Sequence, residues 1–317
     1  MKKKTITRLL TILSTLAALL FCTGPLSAAS SASLAPLVDA RGVMIMNLKS
    51  ESVLYLQNEN RKIPPASIAK IMTMYLIMDR LDSGTIALAD TVRISANAAS
   101  QPGSTMGLKA GEKVALGELI KGVAVASGND AAVAVAEYIS GSVPKFVAAM
   151  NAKAKALGMK STTFTNPSGL PPAAGQWTTA KDMLTLTKRY LEDYPDALPY
   201  HSMPSVTHGK TTTTNKNKLL RLFPGADGIK TGWIRASGFS LVSTAQRGDV
   251  RIVCVLLGAS TSQAMTDESL FLMEAAFKTV ESGGVNKVKY QLQERAKVRA
   301  QEAKETKKET ETKKVKP

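Results

Sequence analysis

Two consecutive prolines, Pro64-Pro65, stand directly before Ala66-Ser67-Ile68-Ala69-Lys70 and the apolar run Ile71-Met72-Thr73-Met74-Tyr75-Leu76-Ile77-Met78. No helix runs through such a pair, because proline lacks an N–H donor and its ring clashes with the preceding turn. A helix can start just after it, and residues 67–81 suit one, with no Gly or Pro. Ser67 then falls in the first turn, where backbone N–H groups lack intrahelical partners and the helix dipole is positive. Lys70 lies three residues on and shares its face. A hydroxyl with an amine beside it at the positive end of a helix is suited to acylation of the serine.

The rest of the chain decides whether that arrangement is used. At 317 residues it would fill about two domains of ~150 residues, but both ends read as something other than folded core. Residues 1–29 have the form of a secretory signal peptide. Lys2, Lys3, Lys4 and Arg8 form a basic start, Leu9 to Phe21 an apolar centre, and Ser27-Ala28-Ala29 a small-residue cleavage site. The apolar centre is shorter than the ~20 residues that span a bilayer, so membrane association is expected to be peripheral at most, and the protein to be exported. Residues 30–39 read as a linker, 40–283 as one catalytic domain, and 284–317 as a charged tail. Lys, Glu, Thr and Ala dominate that tail, which is expected to be disordered, a solvated extension or a frayed helix.

Of the net charge of +16, four units lie in the signal and six from Lys287 onward. The middle carries too little excess to point to nucleic acid as a partner. Outside the signal, Cys254 is the one cysteine, in the apolar stretch Ile252-Val253-Cys254-Val255-Leu256-Leu257. It reads as a buried strand thiol, and the fold must rest on its core rather than on disulfides. His201 and His208 are the only histidines, with no Cys or His cluster beside them, so neither a metal nor another cofactor is expected.

Apolar runs at 43–48 and 53–56, split by Lys49-Ser50-Glu51-Ser52, read as a β-hairpin. Residues 85–113 read as loop, 116–126 and 130–139 as two apolar helices split by Ser127-Gly128-Asn129, and 145–157 as a third helix capped by Ser142. Asn166-Pro167-Ser168-Gly169-Leu170-Pro171-Pro172 must be a loop, and 179–190 a helix behind a threonine cap. Strands follow at 229–233, 238–245 and 250–257, then a closing amphipathic helix at 262–280. Two strands from the start and three from the end make one antiparallel sheet, with the helical middle as a second lobe and a cleft between them.

Three short motifs recur to chemistry: Ser67-Ile68-Ala69-Lys70, Ser127-Gly128-Asn129 and Lys230-Thr231-Gly232. A serine and lysine at the first spacing turn up roughly once in a chain of this size, and the third motif in fewer than about one chain in ten. The chain holds decoys for the first two, Ser142-Val143-Pro144-Lys145 and Ser95-Ala96-Asn97. Context separates them: Ser142 suits a helix cap, whereas Ser127 breaks two buried helices, where a polar interruption costs stability unless it is used.

With these strings in order, and with the longer forms Pro65-Ala66-Ser67-Ile68-Ala69-Lys70-Ile71-Met72-Thr73, Ala126-Ser127-Gly128-Asn129-Asp130-Ala131-Ala132, Asn166-Pro167-Ser168-Gly169-Leu170 and Asp227-Gly228-Ile229-Lys230-Thr231-Gly232, residues 40–277 resemble the low-molecular-mass penicillin-binding proteins, the serine-type D-alanyl-D-alanine carboxypeptidases. The resemblance implies the α/β two-lobe serine acyltransferase fold of the penicillin-binding and β-lactamase kind: a five-stranded antiparallel sheet with flanking helices and an inserted helical lobe. It implies Ser67 as nucleophile, Lys70 as base and Ser127 as proton relay to a departing D-alanine. Asn129 would hold the substrate amide, Lys230 and Thr231 the terminal carboxylate, and Gly232 would let substrate lie close to the strand. The N–H groups of Ser67 and Trp233 would form an oxyanion hole. Peptidoglycan stem peptides and β-lactams are the implied ligands, and the periplasm or cell wall the implied location.

The chain departs from that pattern in two places. Trp233 stands where some members have histidine, and Gly258-Ala259-Ser260-Thr261 lacks a basic residue that others carry, a gap Lys216 is placed to fill. Two further readings stay open at this point: a DD-endopeptidase cutting D-alanyl cross-links, and a non-catalytic peptidoglycan-binding scaffold. A β-lactamase is disfavoured, because the loop near Asn166 has no glutamate to activate a deacylating water.

Overall fold

The computed structural model describes residues 37–171, 175–283 and 287–315, with side chains described as far as residue 306. The signal peptide, most of the linker, and Pro172 of the proline-rich loop lie outside the described residues. The chain opens with the hairpin β1 (Gly42–Asn47) and β2 (Ser52–Gln57). A single 3-10 turn, Ala66–Ala69, runs into α1 (Lys70–Asp82). Next come β3 (Thr91–Arg93), α2 (Ala96–Ala99), β4 (Lys113–Ala115), α3 (Leu116–Lys121), α4 (Asn129–Ser140), α5 (Val143–Ala156) and α6 (Ala180–Asp193). A return segment holds α7 (Leu198–Ser202), β5 (Ser205–His208), β6 (Thr211–Thr214) and α8 (Leu219–Leu222). The chain closes with β7 (Ala226–Ile234), β8 (Gly238–Arg247), β9 (Val250–Ala259), α9 (Ser262–Glu281) and α10 (Lys287–Val315).

Five strands pair antiparallel in the order β2-β1-β9-β8-β7, the sheet expected from the two strand-forming ends. In β9, Val253, Val255 and Leu257 enter one core, and Ile252, Cys254 and Leu256 the other, as the two-residue period of a strand requires. A strand buried on both faces reads as a continuous apolar run, which is why 250–257 was legible. The first core joins the sheet to the helical lobe around α1, whose residues from Lys70 to Met78 are all buried. The second packs the opposite face against α9.

Both decoy serines are helix caps: Ser142 Oγ accepts from the Lys145 N–H and Ser95 Oγ from the Ala98 N–H. Thr179 and Thr261 cap α6 and α9 in the same way. Two small antiparallel strand pairs also form, β3–β4, which begins within the stretch read as loop, and the hairpin β5–β6.

The ends of the folded body differ from the sequence reading. Val38, assigned to a linker, is fully buried, and its N–H and C=O both bond the Gln57 side chain. The charged segment after α9 is helical, and its first turns dock. Val288 and Leu292 are buried in the second core, and Arg295 and Arg299 reach the buried carboxylate of Glu268. Residues 288, 292, 295 and 299 recur at helical spacing on one face. Averaged composition hides a dock carried by so few residues. Among the described residues, no helix is long and apolar enough to cross a membrane.

Candidate active site

Three segments meet at the edge of the sheet: the turn before α1, the break before α4, and β7. The helix predicted from Ser67 starts instead as the 3-10 turn, with α-helical bonding only from Lys70. Ala66, just ahead of the serine, takes a left-handed φ of 49°, a conformation that costs a non-glycine residue roughly 1–3 kcal/mol and clusters at functional sites. The loop carrying Asn166 presses on that backbone. A Cβ on Gly169, itself at φ 82°, would lie 1.7 Å from the Ala66 carbonyl oxygen, so only glycine permits the approach.

The same loop holds Lys70. Its Nζ donates to the Ser168 carbonyl at 2.8 Å and to Asn129 Oδ1 at 2.7 Å, and lies 3.0 Å from Ser67 Oγ. Asn129 is oriented by its own amide, which donates to the Pro102 carbonyl at 2.6 Å, so the oxygen must face the lysine. An ammonium would donate to all three oxygens. A neutral amine donates to the two that have no hydrogen to give and turns its lone pair to the serine hydroxyl. Burial, then the neighbouring charges of Lys230 and Lys216, hold Lys70 well below the ordinary lysine value, against an opposing pull from Asp130. That lowering favours the neutral amine, whose lone pair would face Ser67 Oγ.

Ser127 ends a five-residue π-helical stretch, Gly122–Ala126, in which all five residues are buried, and it too adopts a left-handed backbone, φ 57°. That stretch is a common companion of functional sites. It is fixed from outside by Met106: a Cβ on Gly122 would fall 1.8 Å from the Met106 sulfur. Met106 is anchored in turn by Asp130, whose buried carboxylate accepts from the backbone N–H groups of Met106, Gly107, Leu108 and Ala131. The loop that carries Ser104 is thereby tied to the segment that carries Ser127. Lys216 Nζ donates to Ser104 Oγ at 2.9 Å, joining the return segment to that wall.

β7 forms the opposite wall. As an outermost strand it leaves one edge free of strand pairing, and Gly232 backs onto the turn that carries Ser67, where a Cβ would sit 3.2 Å from the Ser67 nitrogen and 3.0 Å from an Ile68 side-chain carbon. Lys230, only 4% exposed, has its Nζ donating to the Thr231 carbonyl at 3.1 Å. Burial, then Lys216, lowers its pKa to about 7.

Between the walls lies a cleft of roughly 270 Å³ lined by Ser67, Ser127, Lys216, Thr231, Gly232 and Trp233. Of the nine residues singled out in the sequence, these six meet the cleft directly, while Lys70, Asn129 and Lys230 stand buried beside it. Sequence reasoning assigned no part to Asn166, whose Oδ1 gathers the N–H groups of Ser168, Gly169 and Leu170, nor to Asp130. Their motifs were visible, but a scaffold role leaves no chemical signature. Cys254 and His201 stay apart from this chemistry. Burial pushes the Cys254 thiol up to about 12 and, together with Lys230, the His201 imidazole down to about 3, and His201 bonds Tyr190.

Comparison with known proteins agrees with this geometry. The chain is 40% identical over 253 residues to the D-alanyl-D-alanine carboxypeptidase DacF of Bacillus subtilis, an alignment covering 77% of this chain and 64% of the relative. It thus spans about two thirds of the length of the curated relatives it matches. Penicillin binding protein 5 from Haemophilus influenzae superimposes with a TM-score of 0.74 at 34% identity, over 77% of this chain and 72% of that one. Penicillin-Binding Protein D2 from Listeria monocytogenes, solved with ampicillin bound, superimposes with a TM-score of 0.67 at 28% identity, over 76% of this chain and 98% of that one. The sequence profile of the D-alanyl-D-alanine carboxypeptidases matches residues 29–261, and the chain belongs to that family.

Proposed function

We propose that this protein is a serine-type D-alanyl-D-alanine carboxypeptidase that removes the terminal D-alanine of peptidoglycan stem pentapeptides. The observation that carries this reading is the buried Lys70 Nζ, held by the Asn129 and Ser168 oxygens at 3.0 Å from Ser67 Oγ. Ser67 Oγ attacks the carbonyl carbon of the penultimate D-alanine while its proton passes to Lys70 Nζ. The oxyanion is met by the N–H groups of Ser67 and Trp233. As the C–N bond breaks, the departing amine takes a proton through Ser127 Oγ, and the D-alanine leaves. Water then hydrolyses the ester, giving the shortened stem and restoring the serine.

Lys230 and Thr231 receive the terminal carboxylate, and its negative charge favours the protonated form of Lys230. Lys216 supplies a second cation at that end. Asn129, besides orienting Lys70, has a second amide hydrogen to offer the substrate backbone. A β-lactam acylates the same serine and is released slowly. No cofactor takes part, and the site of action is outside the cytoplasmic membrane, in the periplasm or at the wall.

The test is labelling with a fluorescent penicillin, alongside incubation with pentapeptide and with cross-linked muropeptides. Stable labelling lost in Ser67→Ala, with free D-alanine from pentapeptide, is the expected result. Cleavage of cross-links alone would reassign the protein as an endopeptidase. A wild-type protein that takes no label would overturn the acylation mechanism and leave a scaffold role.

A further inference from the structure

Past Trp233 the molecule opens into a second hollow, of roughly 490 Å³, lined by the segment 38–41, Arg61, and the ends of β7, β8 and β9. Trp233 and Phe239, with ring centroids 5.7 Å apart, line both this hollow and the cleft, so the two are neighbours across one aromatic wall. Three arginines line it: Arg41, Arg61 and Arg235. Arg41 is fixed by donating to the Ala236 carbonyl at 2.7 Å, whereas Arg61 and Arg235 have no ion-pair partner among the described residues. The one carboxylate of the hollow, Asp39, accepts from the N–H and the hydroxyl of Ser260. Three guanidinium groups against one engaged carboxylate is an unbalanced charge in a part of the chain whose overall excess is small. Guanidinium forks match carboxylates in shape as well as sign.

The direction of β7 connects the hollow to the reaction. Lys230 and Thr231 come first along the strand, Trp233 next, and Arg235 just past its end. A peptide added to this free edge with its terminal carboxylate at Lys230 and Thr231 runs antiparallel to β7. The residues upstream of the scissile bond then pass Trp233, and at about 3.4 Å per residue they reach Arg235 within two positions.

We propose that the arginine-lined hollow is the subsite for the upstream part of the peptide, and that it selects stems carrying free carboxylates one and two residues before the scissile D-alanine over stems in which these are amidated. This selection rests on the substrate class proposed above. Trp233 forms the floor between the two subsites, and the guanidinium groups of Arg61 and Arg235 supply the recognition.

The test compares two probes, L-alanyl-γ-D-glutamyl-meso-diaminopimelyl-D-alanyl-D-alanine and the same peptide with its two upstream carboxylates amidated. Binding is measured by calorimetry on full-length Ser67→Ala protein, so that no turnover is needed. The acidic peptide is expected to bind about fivefold more tightly, the order of two partly exposed charge pairs, with the ratio shrinking as salt rises. Adding Arg61→Gln and Arg235→Gln should bring the ratio close to one. Equal affinities, a preference unchanged in the double variant, or no binding of either peptide would overturn the subsite. Penicillin labelling of the wild-type protein reports separately on Ser67, so loss of the subsite and loss of the acylation mechanism give different results. The comparison of the two peptides stands even where a surface variant fails to fold.

Discussion

At Lys70 and Lys230 the chain buries two amines within reach of each other, and their titration sets the expected pH behaviour. In the proposed mechanism acylation needs Lys70 neutral, so kcat/KM should fall on the acid side as Lys70 gains its proton. The proposed binding of the substrate carboxylate needs Lys230 charged, so kcat/KM should also fall as pH rises through the Lys230 value of about 7. The profile is then a bell. Lys230→Arg, which cannot titrate in this range, should remove the alkaline limb at some cost in plateau rate, and an alkaline limb that persists unchanged would assign it elsewhere. For stability, Lys230 acts with the opposite sign. A lysine whose folded pKa lies below its unfolded value of about 10.4 releases a proton on folding, so the penalty is largest below the folded value and shrinks as pH rises toward the unfolded one. Lys230→Met should therefore raise the midpoint of thermal unfolding more at pH 6 than at pH 9, by an amount worth a few kcal/mol at the lower pH. Equal gains at both would show that the substitution acts by packing alone. Lys70 and Lys230 are 160 positions apart in the sequence, and burial is what couples them.

The Asn166 loop shows where sequence reading stops at the level of elements. Its composition marks a loop, and long apolar runs mark the strands, because each is a local property of consecutive residues. The π-helical stretch before Ser127 is not local: it depends on Gly122 accepting the Met106 sulfur, sixteen residues earlier. The strand pairs β3–β4 and β5–β6 are too short, at three and four residues a strand, to set up a pattern above that of a polar loop. Nor does a motif reveal that Pro167 and Ser168 offer carbonyls to Thr73 and Lys70. From that contact a sharp expectation follows. Gly169→Ala must push the loop off the Ala66 backbone, and should lower the penicillin acylation rate about a hundredfold, the order associated with a 1 Å misplacement, while the protein still folds. Asn166→Ala removes the acceptor for three backbone donors and should cost about 1–3 kcal/mol, read from denaturant unfolding. A fully active Gly169→Ala protein would mean that the loop does not position Lys70.

For the molecule as a whole, the docked start of α10 makes the charged segment part of the folded body. Cutting the chain after Gly283 exposes the surfaces covered by Val288 and Leu292 and leaves the Glu268 carboxylate, 2% exposed, without Arg295 and Arg299. The combined loss should lower the unfolding midpoint by roughly 10 °C, and Glu268→Leu in the shortened chain should restore part of it. A shortened protein as stable as the full chain would show that α10 contributes nothing to the fold. The two tryptophans of the chain lead to a last consequence. Trp177 is 40% exposed and pairs its backbone with Thr163, whereas Trp233 is 56% exposed at the boundary of cleft and hollow. With Trp177→Phe the protein carries one indole, standing where a peptide must pass. Its emission should shift to the blue as occupancy removes water from the ring, giving an optical titration of binding that needs neither a label nor a turnover.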